Sequence, residues 1–262
     1  MRWCLGCVWL CALLACAGAE PEARDARPAA REVDPGHTVS EGDDPSVAEP
    51  DDAPEPAEHE DAAPPAPSAQ PSPTPDGFTD LAKLPGLRVE ARYATANNFT
   101  GAPLPGYEVG GAWLLDGPAE ALGRVQRRLE ADGYGLLVYD AYRPLRATKA
   151  MVDWAHRTDQ VHLLNDGYIA RRSNHNRGNT VDLTLVHLSS GEPLDMGTPW
   201  DTLDERAHTR NAQGEVAANR QRLVAAMRAE GFKNYWKEWW HFSHGEGADA
   251  PHRDVPYGVV GE

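Results

Sequence analysis

Ser173-Asn174-His175-Asn176-Arg177-Gly178-Asn179-Thr180-Val181-Asp182-Leu183-Thr184-Leu185 is a loop that runs into a strand. Val181 to Leu188 alternates loosely in polarity, which predicts a strand, and Gly178 sits in the loop before it. His175 and Asp182 stand seven residues apart across that loop. A loop at a strand mouth can fold two such side chains onto one ion. The spacing alone leaves two readings open: a pair of metal ligands, or a packed histidine beside an ordinary strand residue.

Outward from this stretch, the elements are short and mixed. Asp116-Gly117-Pro118 opens a helix, with proline suited to its first turn. Leu122, Val125 and Leu129 give that helix an apolar face, and Gly133 ends it. Tyr134 to Tyr139 is apolar and bounded by Gly133 and Asp140, a buried strand. Pro144 starts a second helix, through about His156. Glu215 to Glu230 predicts a third, with Val216, Leu223, Val224 and Met227 inward and Gly231 as its stop. Tyr235 to Phe242 is aromatic-rich and predicts a final strand. Helices and strands do not alternate as a βαβ repeat, so the expected class is α+β, a single domain over 77–262 with a small antiparallel central sheet flanked by helices.

The last expected strand contains Glu238-Trp239-Trp240-His241-Phe242. Together this stretch and the one around His175 would offer two imidazoles and a carboxylate for zinc, leaving a fourth position for water, the pattern of catalytic rather than structural zinc. On a regular strand, however, residues three apart face opposite sides, so Glu238 and His241 converge only at a bulge or a strand start. Sulfur is not available to this chemistry. Cys4, Cys7, Cys11 and Cys16 all precede residue 17, so a metal in the folded part must use His, Asp or Glu.

The formal charge of −15 is unevenly placed. Residues 17–76 hold 16 acidic and 3 basic side chains, whereas residues 77–262 hold 24 and 21. No basic patch stands out, which argues against a nucleic-acid partner. Residues 1–19 read as a secretory signal: Arg2, an apolar run from Trp3 to Ala15, then small residues. Leu13-Leu14-Ala15-Cys16 resembles a bacterial lipobox, in which Cys16 is lipidated, while Ala17-Gly18-Ala19 offers an ordinary cleavage site. An uncleaved anchor is the third possibility. Residues 17–76, rich in Pro, Ala, Glu and Asp, are expected to form a disordered, extended linker. The expected location is therefore the periplasm or cell envelope, with membrane contact only through a lipid on Cys16.

Ser173, His175, Gly178 and Asp182 fit the S-x-H-x-x-G-x-A-x-D element of the zinc D,D-peptidases, with Thr180 in place of the small alanine, and Glu238 and His241 fit their downstream E-x-x-H. Tyr93 to Gly101, Gly106 to Val109, Gly133 to Pro144 and Trp200 to His208 are similar to further stretches of the same family in the same order. Over residues 77–245 the chain resembles the VanX-type D-alanyl-D-alanine dipeptidases. The resemblance implies one Zn2+ bound by His175, Asp182 and His241, and Glu238 as the general base for zinc-bound water. It implies that Arg143 stabilises the oxyanion, that Asp201 pairs with the substrate ammonium, and that Ser173 and Tyr93 line the dipeptide site. Read without it, Arg143 could be a structural arginine at a helix start, Asp201 a turn residue and Tyr93 a core residue. The activity implied is hydrolysis of D-alanyl-D-alanine to two D-alanines, in recycling or scavenging of wall-derived dipeptides, since an exported enzyme does not meet a cytoplasmic precursor pool. The alternatives are a D,D-carboxypeptidase acting on peptidoglycan stems and a catalytically silent binding module.

Overall fold

The computed structural model describes residues 69–260, and the expected signal, Cys16 and the linker as far as residue 68 lie outside it. In chain order the strands and helices are β1 (Ala69–Pro71), β2 (Phe78–Asp80), β3 (Arg88–Val89), β4 (Trp113–Leu115), α1 (Asp116–Ala131), β5 (Tyr134–Asp140), α2 (Leu145–Arg157), α3 (Val161–Asn165), β6 (Thr180–His187), α4 (Gly214–Ala229), β7 (Phe232–Asn234), β8 (His241–His244) and β9 (Gly258–Val260). Short 3-10 turns at Leu81–Lys83, Arg92–Ala94, Asn174–Arg177 and Glu205–Ala207 punctuate the connections.

The central sheet has five strands in the order β3-β5-β6-β8-β7. It is antiparallel except at one edge, where β3 runs parallel to β5. Its two middle strands are buried along nearly their whole length, from Gly135 to Asp140 and from Thr180 to Val186. That suits their near-continuous apolar runs, since a strand covered on both faces need not alternate. α1 packs on β5 and against α4, and α4 packs on β7 and β6. Leu122, Val125 and Leu129 of α1 are buried as their spacing predicts.

Three differences from the sequence reading have physical causes. The ordered part reaches back into the expected linker, because β1 finds a partner in β9 and Ser72 N–H donates to the Tyr257 carbonyl. On α4, Leu223 and Met227 are buried but Val216 and Val224 only partly so; Asn219 and Arg220 take the other inward places. Arg220 is 1% exposed and its guanidinium donates to the carbonyls of Met196, Arg206 and His208, so a buried charge fastens the 196–208 loop. Finally, Tyr235–Trp240 is not strand: the chain leaves β7 after Asn234, turns, and re-enters the sheet at His241.

Candidate active site

The middle of the sheet lines up the chemistry. Asp182 on β6 is the register partner of His241 on β8 and of Asp140 on β5. Directly opposed residues share a face, so these three side chains form a row across three strands. Asp140 reaches that row only through a bulge: Val138 pairs with Leu183, yet Asp140, not Tyr139, pairs with Asp182. The extra residue re-aims β5 at its end, a common device beside functional sites.

His175 comes in from the turn at Asn174–Arg177. Ser173 caps this turn by accepting from His175 N–H, and Asn176 returns the contact to the Ser173 N–H. Gly178 closes it with a left-handed φ of 83°, and a Cβ there would stand 2.2 Å from the Phe78 ring. Asn176, fully buried, also donates to the Arg143 carbonyl and to Thr148, which locks the turn to the start of α2.

The result is a triangle of ligand atoms. His175 Nε2 lies 3.2 Å from Asp182 Oδ1 and 3.2 Å from His241 Nδ1, and His241 Nδ1 lies 3.0 Å from Asp182 Oδ1. A tetrahedral ion with bonds of about 2.0–2.1 Å spaces its ligands by roughly 3.3 Å, so the triangle has the size of one face of such a site. Two further observations favour a cation there. Asp182 Oδ1 is buried without a hydrogen-bond partner. His175 Nδ1 sits 2.6 Å from the Ala141 carbonyl, which can only accept, so Nδ1 carries the proton and Nε2 keeps its lone pair toward the triangle. Among the described residues this is the group of His, Asp and Glu side chains arranged to hold a metal ion.

Charge on the surrounding groups follows from burial and from the triangle. Burial raises the Asp182 carboxyl, but the two imidazoles outweigh that and hold it well below the usual carboxylate range. Burial lowers the His241 imidazole, and the adjacent Asp182 carboxylate more than reverses it, so the net direction is up. The same negative charge that draws a proton to His241 would attract a metal cation. Glu238 is 7% exposed, and its Oε2 lies 3.5 Å from His241 Nδ1. Burial pushes its carboxyl up to about 7, against the lowering effect of His241. The turn at residues 235–240 is what brings Glu238 and His241, three apart in sequence, to the same side.

Arg143 follows β5 and is 8% exposed. Its Nε and Nη2 donate to Asp140 Oδ2 at 2.9 and 2.7 Å, and Nη1 meets only the Met151 thioether at 3.5 Å. Burial works against the guanidinium charge, but Asp140 overcomes it and raises the pKa further. Asp140 therefore serves Arg143, accepts from Tyr107 O–H at 2.5 Å and lies 3.3 Å from His175 Nδ1. The sequence reading gave Asp140 no role; its signal was an acid ending an otherwise apolar strand, three residues before Arg143.

Tyr93 is buried and donates to Asp201 Oδ1 at 3.1 Å. Asp201 holds a left-handed φ of 63°, a conformation that costs a non-glycine residue free energy. Its Oδ2 is cut off from solvent and has no partner, and burial, then the nearby Asp182, raises its carboxyl well above the usual range. Every predicted site residue from Tyr93 to His241 lines one pocket of about 300 Å³, small for a ligand site. Ser173 shares that wall, although its hydroxyl is already engaged by the His175 turn. Trp240 lines the pocket and is fully buried, while Trp239 is buried beside it and donates to Thr198 Oγ1.

A family model described as D-ala-D-ala dipeptidase matches residues 75–257. The chain is 41% identical over 196 residues to the D-alanyl-D-alanine dipeptidase of Enterococcus faecalis, covering 69% of this chain and 96% of that protein. It is 39% identical over 185 residues to the protein of that name from Enterococcus faecium, covering 63% and 90%. Against the one from Escherichia coli it is 36% identical over 177 residues, covering 66% and 88%.

Proposed function

The chain belongs to the D-Ala-D-Ala dipeptidase family, and on that footing we propose that it hydrolyses D-alanyl-D-alanine to two D-alanine molecules with zinc held by His175, Asp182 and His241. One juxtaposition carries the reading: His175, Asp182 and His241, whose ligand atoms gather in a triangle, line the same small pocket as Asp201, which keeps an unpartnered Oδ2. Two imidazoles and one carboxylate suit zinc better than the oxygen-only sets taken by calcium and magnesium. When bound, zinc would polarise the scissile carbonyl and lower the pKa of water to about 7.

The chain's own groups supply the rest. Glu238, buried beside His241, accepts a proton from the attacking water and passes it to the leaving amine. Arg143 steadies the oxyanion: Asp140 fixes the plane of its guanidinium, and Nη1 has only to exchange a weak thioether acceptor for a charged oxygen. Asp201 takes the substrate ammonium on Oδ2, with Tyr93 holding its other oxygen. A longer peptide brings no ammonium to that place and leaves a buried carboxylate without a counter-charge, which is expensive. Selectivity for a free dipeptide over a wall stem follows.

Export belongs to the same proposal. The apolar run after Arg2 and the Leu13-Leu14-Ala15-Cys16 stretch support a lipid-anchored enzyme of the cell envelope that recycles or scavenges wall-derived dipeptides.

The test is D-alanine release by the zinc-loaded chain from D-Ala-D-Ala, an acyl-D-Ala-D-Ala peptide and L-Ala-L-Ala, each with and without a chelator. Chelator-sensitive release from the free D,D-dipeptide alone is the expected result. Preference for the acylated peptide would move the chain to carboxypeptidase chemistry, and zinc binding without turnover would make it a binding module.

A further inference from the structure

Glu238 and His241 would diverge on a strand and instead meet across a turn, which a side chain outside the pocket clamps. Asn234, the last residue of β7, donates from Nδ2 to the Glu238 carbonyl at 2.9 Å and to the His241 carbonyl at 3.1 Å. One amide nitrogen thus bridges the backbone of the proposed base and of a proposed metal ligand. Both acceptors are carbonyls, so the amide must present its NH2 to them. Its Oδ1 is left for Thr209, whose hydroxyl donates at 2.6 Å and fixes that orientation.

Thr209 is well placed to hold the clamp. Its own N–H donates to the Trp236 carbonyl, and Trp239 N–H donates to the Ala207 carbonyl, so the 207–209 segment braces the turn at both ends. That segment is in turn fastened by Arg220 through the carbonyls of Arg206 and His208. Within the turn the backbone closes the ends, Glu238 N–H donating to the Tyr235 carbonyl and Tyr235 N–H to the His241 carbonyl, each at 3.0 Å, but between Glu238 and His241 themselves the backbone contact is long at 3.4 Å.

We propose that Asn234, oriented by Thr209, is a positioning residue that sets the separation of Glu238 from the metal site through the two carbonyls it bridges. The inference rests on the assignment of Glu238 as base and His241 as ligand. Losing the clamp lets Glu238 drift while the pocket wall, Asp201 and the His175–Asp182 pair stay in place. The consequence is a fall in kcat with little change in KM, and a metal that leaves more readily because His241 begins its strand less firmly. Outer partners of metal ligands typically change activity or affinity by about 10–100-fold.

The experiment compares the full zinc-loaded chain with Asn234→Ala, Asn234→Asp and Thr209→Val. Asn234→Asp keeps the shape but turns an anionic oxygen on the carbonyls, so it should be at least as impaired as Asn234→Ala; Thr209→Val should be milder. Each is measured for kcat and KM on D-Ala-D-Ala, and for the rate at which a chromogenic chelator strips the zinc. A kcat roughly 10–100-fold lower at KM within about threefold, with stripping about tenfold faster, is the expected result for Asn234→Ala. Unchanged kcat and stripping, or a KM that rises as far as kcat falls, would overturn the assignment. Should Asn234→Ala fail to fold, Thr209→Val decides by the same split. If the parent chain binds zinc but releases no D-alanine, the proposed function fails, and the stripping rates still decide for or against the clamp.

Discussion

The two halves of the candidate metal site are built in different ways. The segment from Ser173 to Asp182 makes its own shape: a serine cap, an asparagine answering it, a left-handed glycine and then a strand, all within ten residues. The segment from Tyr235 to His241 is closed by bonds of its own backbone, from Glu238 to Tyr235 and from Tyr235 to His241, and is clamped from outside by Asn234, Thr209 and Ala207. The first is a local code and can be read from residue types and spacing. The second depends in part on Thr209 and Ala207, which the chain brings in from elsewhere, and its residue types carry no turn signal to show that Glu238 and His241 meet.

The largest effect should come from Glu238→Gln, which tests whether the second half supplies the base. D-alanine release is expected to fall by about 10²–10⁴-fold while metal content stays near that of the parent chain. Loss of metal along with activity would make Glu238 a ligand or a structural residue instead. Gly178→Ala attacks the first half. Its left-handed φ and the contact of a Cβ with Phe78 should cost roughly 2–4 kcal/mol in denaturant unfolding, and a variant as stable as the parent would show that the turn tolerates another shape.

A milder cut on the same side is Ser173→Ala, which removes the cap on the His175 turn. About 1 kcal/mol of stability should be lost. A large rise in KM with unchanged stability would instead assign the hydroxyl to substrate. The smallest effect concerns the approach to the second half, where Glu230 at the end of α4 pairs with Arg124 and Arg128 of α1. The Arg124 hydrogen bond lowers the Glu230 carboxyl. Its contribution is therefore present above the ordinary glutamate range and is lost as pH falls through the depressed value. Between about pH 5 and pH 3, Glu230→Gln should lose less stability than the parent, by under about 1 kcal/mol; equal losses would mean the pair contributes nothing measurable.

Much of this protein was legible beforehand because the signals were local. α1, β5, α2, β6 and α4 fall within a residue or two of the runs that predict them, since apolar periodicity, a proline at a helix start and a glycine at its end are properties of neighbouring residues. The spacing of His175 and Asp182 left two readings open, and the resemblance supplied the ligand role of both together with that of His241.

The remainder was set by distance. The bulge that turns Asp140 toward Asp182 exists because β5 must pair with β6 and still aim its end at the site. β1 forms because a partner strand returns from the other end of the domain. Arg220 can be buried because three carbonyls of a remote loop converge on it. Sequence by itself determined the donor types, the order of elements and the local turn that presents His175. Only the tertiary structure decided which acid stands behind Arg143, how Glu238 reaches His241 and why Asp201 keeps one oxygen unpaired. The physical reason is that hydrogen bonds and buried charges are satisfied by whichever groups the fold brings near, and nearness across a sheet is not written in any short stretch of chain.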